Sequence, residues 1–180
     1  MSRYAAFLRG MNVGGHRLTN EELCAHFDSM GFLDVASFRA SGNVVFAGEG
    51  ARPQELRARI EEGLAGLLGY AVPAFVRSAA EVRAMAASEP FPAARLAASK
   101  GKLQVAMLFE QPPAPARREL LSLASGQDGL VLDRRELYWL PSGGVLESEL
   151  DMKAIERLAG AMTMRTKGTV EQIAARHFCE

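Results

Sequence analysis

Two short stretches of the chain combine arginine with glycine and asparagine in a pattern that could hold an anion. The first is Arg9-Gly10-Met11-Asn12-Val13-Gly14-Gly15 and the second is Arg39-Ala40-Ser41-Gly42-Asn43. Glycine lets backbone N–H groups come close to a ligand, and a guanidinium forks onto the oxygens of a carboxylate or phosphate. The candidate ligand-binding residues are therefore Arg9, Gly10, Asn12, Gly14, Gly15, Arg39, Ser41, Gly42 and Asn43. A structural reading of the same residues stands beside this one: the glycines and Asn43 supply the positive φ of tight connections, and the arginines pair with nearby carboxylates. Neither stretch matches the common phosphate-binding motifs. Gly10-x-x-x-Gly14-Gly15 lacks the Lys-Ser/Thr of a P-loop, and no Gly-x-Gly-x-x-Gly follows a strand.

Side chains suited to catalysis are sparse. His16, beside Gly15, would titrate near neutrality and could serve as a general base, or simply be an exposed loop histidine. Ser41 lies in Ala-Ser-Gly-Asn rather than Gly-x-Ser-x-Gly, so it is not a nucleophile elbow. His26 flanks an apolar helix face, and His177 with Cys179 forms a lone His-x-Cys, too little for a metal. No carboxylate pair is spaced for acid–base work, so no reaction and no cofactor follow from the residues.

Composition narrows the classes further. The 180 residues are 48% hydrophobic, enough to bury a sizeable core. Basic and acidic side chains number 21 each, so no net field attracts a polyanion or an acidic membrane surface, and nucleic acid is a disfavoured partner. The two cysteines, Cys24 and Cys179, fall in helical patterns and give no disulfide framework. The N-terminus lacks the apolar run of a signal peptide, and no run approaches the ~20 apolar residues of a membrane span. A cytoplasmic location is the expectation.

The elements that must position these residues follow from periodicity. Tyr4 to Leu8 reads as a strand, and Thr19 with Glu22 as a capping box opening a helix with Leu23, Phe27 and Met30 on one face. Val35 to Arg39 and Val44 to Ala47 read as a hairpin, Pro53 to Gly69 as a helix, and Val72 to Val76 as a strand. This β-α-β-β-α-β order is the split arrangement of a four-stranded antiparallel sheet with helices on one face. A linking helix, Ala80 to Ala87, and a loop with Pro90 and Pro92 follow. The order then recurs: strand Leu103 to Phe109, helix Ala116 to Ala124, strands Leu130 to Leu132 and Glu136 to Leu140, a helix marked by Leu150, Ala154, Leu158 and Met162, and strand Thr163 to Arg165. Thr169 with Gln172 caps a terminal helix. The expected fold class is α+β, with two ferredoxin-like halves at 1–78 and 103–180 joined by 79–102. The duplication rests on element order, since no residue-level repeat stands out. Several strands are apolar on both faces, so each sheet must be covered twice, by the other half or by a second copy of the chain.

The stretches FLRGMNVGG (7–15), Met30-Gly31-Phe32 and SFRASGNVVF (37–46) together resemble the signature of the bacterial family known as domain of unknown function 1697. The similarity recurs at Glu89-Pro90-Phe91-Pro92, along Val105 to Phe109 and at Thr163-Met164-Arg165, so it spans nearly the whole chain. The resemblance implies an α+β fold of two ferredoxin-like halves and no established activity. Many relatives continue the Thr-x-Arg with Asn-Trp, where this chain has Thr166-Lys167-Gly168, so a role of that position in the family does not carry over.

Topology converts the two stretches into one candidate site. With the first and third strands central, the end of strand one, carrying Arg9 and Gly10, lies at the same end of the sheet as the turn carrying Arg39 to Asn43. The expected function is a module for a small anionic ligand such as a nucleotide or phosphorylated metabolite. The alternatives are an enzyme using the same patch with His16 or Ser41, an RNA-binding sheet with Phe7 and Phe46 on its central strands, and a homodimeric interaction protein.

Overall fold

A computed structural model describes residues 1–180 other than 13, 14, 16, 40, 41, 50, 51, 126 and 180. The chain divides into two compact units, Met1–Ala84 with Ile173–Glu180, and Met85–Gln172.

The first unit is built from β1 (Ser2–Leu8), α1 (Asn20–Ser29), β2 (Leu33–Ser37), β3 (Asn43–Gly48), α2 (Pro53–Leu68) and β4 (Ala74–Ser78). Its strands lie in the order β2-β3-β1-β4, every neighbouring pair antiparallel, with β1 and β3 in the centre. Thr19 closes the expected capping box: its hydroxyl accepts from Glu22 N at 3.1 Å while its own N–H donates to the Glu22 carboxylate at 2.8 Å. Leu23 and Phe27 of α1 and Leu56, Ile60 and Leu64 of α2 meet Ala6, Leu8, Val44 and Phe46 on one sheet face. Phe46 anchors an aromatic group, its ring 4.6 Å from Phe32 and 5.7 Å from Tyr4. Strand β2 has the expected length but lies two residues earlier, at Leu33–Ser37 instead of Val35–Arg39, because Arg39 turns to a φ of 57° and cannot extend the ladder.

After α3 (Ala79–Ala87) and α4 (Ala93–Ala98), the second unit repeats the order with β5 (Gln104–Leu108), α5 (Ala114–Ser122), β6 (Gly129–Asp133), β7 (Glu136–Leu140), α6 (Met152–Ala159), β8 (Met162–Thr166) and the start of α7 (Lys167–His177). Strand order is β6-β7-β5-β8, with β7 and β5 central. Three expectations need correction here. Helix α4 forms in a stretch that reads as loop. Met162 opens β8 opposite Leu108 instead of closing α6, because Gly160 at a φ of 80° stops that helix. Helix α7 begins before Thr169: its cap is Thr166, whose hydroxyl accepts from Thr169 N at 3.2 Å.

The pairing registers expose a residue-level repeat that sequence periodicity hides. Ala6 and Leu8 of β1 occupy the places of Ala106 and Leu108 of β5, and Phe46 that of Trp139. Arg77, opposite Ala5, corresponds to Arg165, opposite Val105. The residue after each arginine, Ser78 or Thr166, caps the next helix through its side-chain oxygen. Arg77 is buried and Arg165 half-buried. Arg77 is 1% exposed and donates to Val76 O at 3.1 Å. Arg165 donates to Thr163 Oγ1 at 3.0 Å and Met164 O at 2.8 Å, and burial pushes its guanidinium down to about 10, still a cation at neutral pH.

The sheet faces that do not carry the core clusters are also buried: Phe7, Val45, Phe75, Val105 and Met107 have no exposed surface in the single chain. In the first unit, Arg3 donates to His177 O at 2.8 Å, and the His177 ring meets Phe38 edge-on at 6.3 Å. His177 Nε2 is buried without a hydrogen-bond partner among the described residues.

Two outcomes follow from these contacts. Asn43, 1% exposed, donates its Nδ2 to Phe38 O at 3.0 Å, beside the Phe38 N to Asn43 O bond at 2.9 Å. Asn43→Ala leaves that carbonyl unpaired and should destabilise the chain by about 1–3 kcal/mol, read as a lower urea midpoint. Burial, then the neighbouring Arg176 and Arg3, pushes the His177 imidazole below its ordinary value of 6.5. The unfolded chain thus binds that proton more readily, so stability is retained above pH 6.5 and lost as the pH falls below it. The melting temperature should drop on acidification from about pH 7 to about pH 5, and His177→Gln should flatten that slope.

Candidate functional site

The end of β1 and the β2–β3 connection meet through the backbone. Leu8 N donates to Gly42 O at 2.8 Å, and Arg9 N donates to Pro73 O at 3.0 Å, so three chain segments converge immediately before Gly10. Gly42 is buried at a φ of 70°, and a β-carbon there would lie 3.1 Å from Leu8 Cβ. That close approach, together with the φ, explains the glycine structurally. Asn43 is equally structural, closing the hairpin through Phe38 as described above.

The remaining members of the patch are solvent-facing. Arg39, Gly10, Asn12 and Gly15 are exposed and Arg9 is half-buried. Gly10 and Gly15 both take positive φ, 69° and 88°, and among the described residues nothing approaches within 4 Å of a β-carbon built on Gly15. The Arg39 guanidinium lies 5.6 Å from the centre of the Phe38 ring. Gly14, Ser41 and His16 lie outside the described residues. The structure therefore brings Arg9, Gly10, Gly42 and Asn43 to one end of the first sheet, and assigns the last two to building it.

The first helix contributes less positive potential than its position implies. Its leading N–H groups are capped by Thr19 and Glu22, and hydrogen bonds from the Thr19 backbone and hydroxyl hold the Glu22 carboxyl below its ordinary range. A carboxylate already occupies that helix start. Any anion at this patch depends on the arginines and loop amides.

Three residues without a motif fix the first loop. Met11 is buried in the core, its carbonyl accepts from Tyr70 Oη at 2.7 Å, and Pro73 takes the Arg9 N–H. Phe7 and Phe46 are both fully buried, and Phe46 faces the helices, so neither offers a ring to a nucleic-acid base.

The equivalent end of the second unit makes the same strand-to-hairpin bond with different chemistry around it. Leu108 N donates to Arg135 O at 2.8 Å, and Asp133-Arg134-Arg135-Glu136 closes the hairpin. Neither that turn nor the Phe109-Glu110-Gln111-Pro112-Pro113 exit from β5 contains glycine or asparagine. Among the described residues no group of three His, Cys, Asp or Glu is arranged to hold a metal ion, and no helix is long and apolar enough to cross a membrane.

Comparison with known proteins supplies a family. A solved structure of "conserved bacterial protein SP0830" from Streptococcus pneumoniae superimposes with a TM-score of 0.71 at 19% identity, covering 97% of each chain. That likeness shows a shared fold. No curated protein sequence matches. A family model described as "Protein of unknown function (DUF1697)" matches residues 1–138. With that match over most of its length, including every described element of the first β-α-β-β-α-β unit, the chain belongs to the DUF1697 family of proteins of unknown function.

Proposed function

We propose that the chain is a cytoplasmic binding module for a small anionic ligand, held where the end of β1 meets the β2–β3 connection. Arg9 and Arg39 supply the charge, Gly10, Asn12, Gly14 and Gly15 the approachable backbone, Ser41 a hydroxyl, and Gly42 with Asn43 the rigid base.

The observation that carries this reading is the difference between two equivalent strand ends. Both units close the same antiparallel connection with the same 2.8 Å backbone bond. Only the first carries Arg-Gly-x-Asn and Gly-Gly beside it, so the topology alone does not demand those residues. Exposed glycines at positive φ lower stability through unfolded-state entropy, and such a cost is retained where a loop has a further task. The balanced charge of 21 basic and 21 acidic side chains favours a small anion over a polyanion. The free thiols Cys24 and Cys179 fit a reducing compartment.

A thermal-shift series with inorganic phosphate, pyrophosphate, ADP and glucose 6-phosphate tests the reading. A ligand at about 100 times its Kd adds about 2.7 kcal/mol to the folded state, a rise of roughly 5–10 °C for a chain of this size. Arg9→Ala and Arg39→Ala should each remove the ligand-induced rise while changing the ligand-free melting temperature much less. A rise that survives both substitutions, or no rise with any of the four compounds, overturns the proposal.

A further inference from the structure

The second unit contains a cleft of about 270 Å³ lined by Arg95, Ala98, Ser99, Gln127, Leu140 and Ser142. It lies outside the patch of the first unit and shares no residue with it. Its lining joins apolar Ala98 and Leu140 to polar Arg95, Ser99, Gln127 and Ser142.

Both walls are built with care for position. On one side, the Arg95 guanidinium lies 5.4 Å from the centre of the Phe91 ring. A β-carbon on Gly129 would come within 2.6 Å of Phe91 Cε1 and 3.0 Å of Arg95 Nη2. Gly129 does not have positive φ, so its strand conformation suits any residue, and glycine there weakens the strand. Its absence of a side chain makes room for the ring and the guanidinium together. On the other side, the buried Asp128 carboxylate accepts through Oδ1 from Trp139 Nε1 at 3.1 Å, Ser142 N at 3.1 Å and Ser148 Oγ at 2.9 Å. Ser99 Oγ donates to Pro141 O at 2.8 Å and accepts from Gly101 N at 3.1 Å, tying the end of α4 to the end of β7.

What remains unengaged faces the cleft. Among the described residues, the Arg95 guanidinium, the Gln127 side-chain amide and the Ser142 hydroxyl have no hydrogen-bond partner. An exposed guanidinium stacked on the Phe91 ring and flanked by neutral donors matches the two oxygens of a carboxylate. The lining carries one cation, and the Asp128 carboxylate, bonded to Ser142 N, opposes a doubly charged phosphate more strongly than a singly charged carboxylate. The volume, just below the roughly 300–1,000 Å³ of ligand sites, limits the apolar remainder to a short chain or single ring. We infer that this cleft binds a small organic monocarboxylate, its carboxylate forked by Arg95 and assisted by Gln127 and Ser142, its apolar body on Ala98 and Leu140.

The experiment is a ¹H–¹⁵N NMR titration of the full chain with hexanoate, and with inorganic phosphate at matched ionic strength. The signals to follow are the indole N–H of Trp139, which is the sole tryptophan, the Gln127 side-chain amide and the Ser142 amide. Hexanoate should shift all three along one saturating curve, and phosphate should not. Arg95→Ala should weaken hexanoate binding about tenfold or more, in line with loss of a charge-assisted hydrogen-bond pair. Gln127→Glu, an exposed rim substitution that leaves the packing of Arg95 intact, should weaken it in the same direction and serves if Arg95→Ala fails to fold. The inference is overturned by an absence of saturable shifts with hexanoate, by an equal response to phosphate, or by unchanged affinity in a folded variant.

Discussion

The central strands of each sheet set the terms for everything else, because they bury both faces at once. Along β1 from Tyr4 to Leu8, and throughout β3, β5 and β7, every residue is buried. Such a strand must hydrogen-bond along both edges and fill space above and below, which removes the alternation of polar and apolar residues seen in a half-exposed sheet. Where polar side chains do enter, they have duties: Asn43 closes a hairpin, and Arg77 and Arg165 reach backbone carbonyls or a threonine hydroxyl beside them. An isolated buried charge would cost far more than it returns, so these contacts are conditions of the fold.

Given such strands, chemistry is forced out to the ends of the sheets. Backbone amides and side chains at strand termini are the first groups not committed to the ladder, and both candidate sites lie there. One sits where β1 exits beside the β2–β3 connection. The other sits at the opposite kind of strand end, where β7 finishes at Leu140 and β6 begins at Gly129. In each case glycine appears where something must come close: Gly42 against Leu8, and Gly129 against Phe91 and Arg95.

The internal duplication makes these sites readable by difference. Ala6 and Leu8 match Ala106 and Leu108, Phe46 matches Trp139, and the Arg77-Ser78 and Arg165-Thr166 pairs each end a strand and cap a helix. Those positions are held by packing. The strand ends diverge instead, to glycine and asparagine in one unit and to proline and charge in the other, which is what relief from a shared packing demand produces.

The order of the strands and of the helices that cover them, the helix starts at Thr19 and Pro53, the β-α-β-β-α-β topology and the meeting of Arg9-Gly10 with Gly42-Asn43 were all determined by the sequence itself. They depend on periodicity, turn chemistry and the fixed geometry of antiparallel pairing, which are local or topological. Tertiary structure alone decided which members of that patch are structural, since the 3.1 Å approach of Gly42 to Leu8 and the burial of Asn43 are distances across strands. It also decided the residue-level repeat, which needs the pairing register, and the cleft of Arg95, Gln127 and Ser142. Those three residues are far apart in the chain and share no motif; only the folding of α4 against β6 and β7 brings them to one rim.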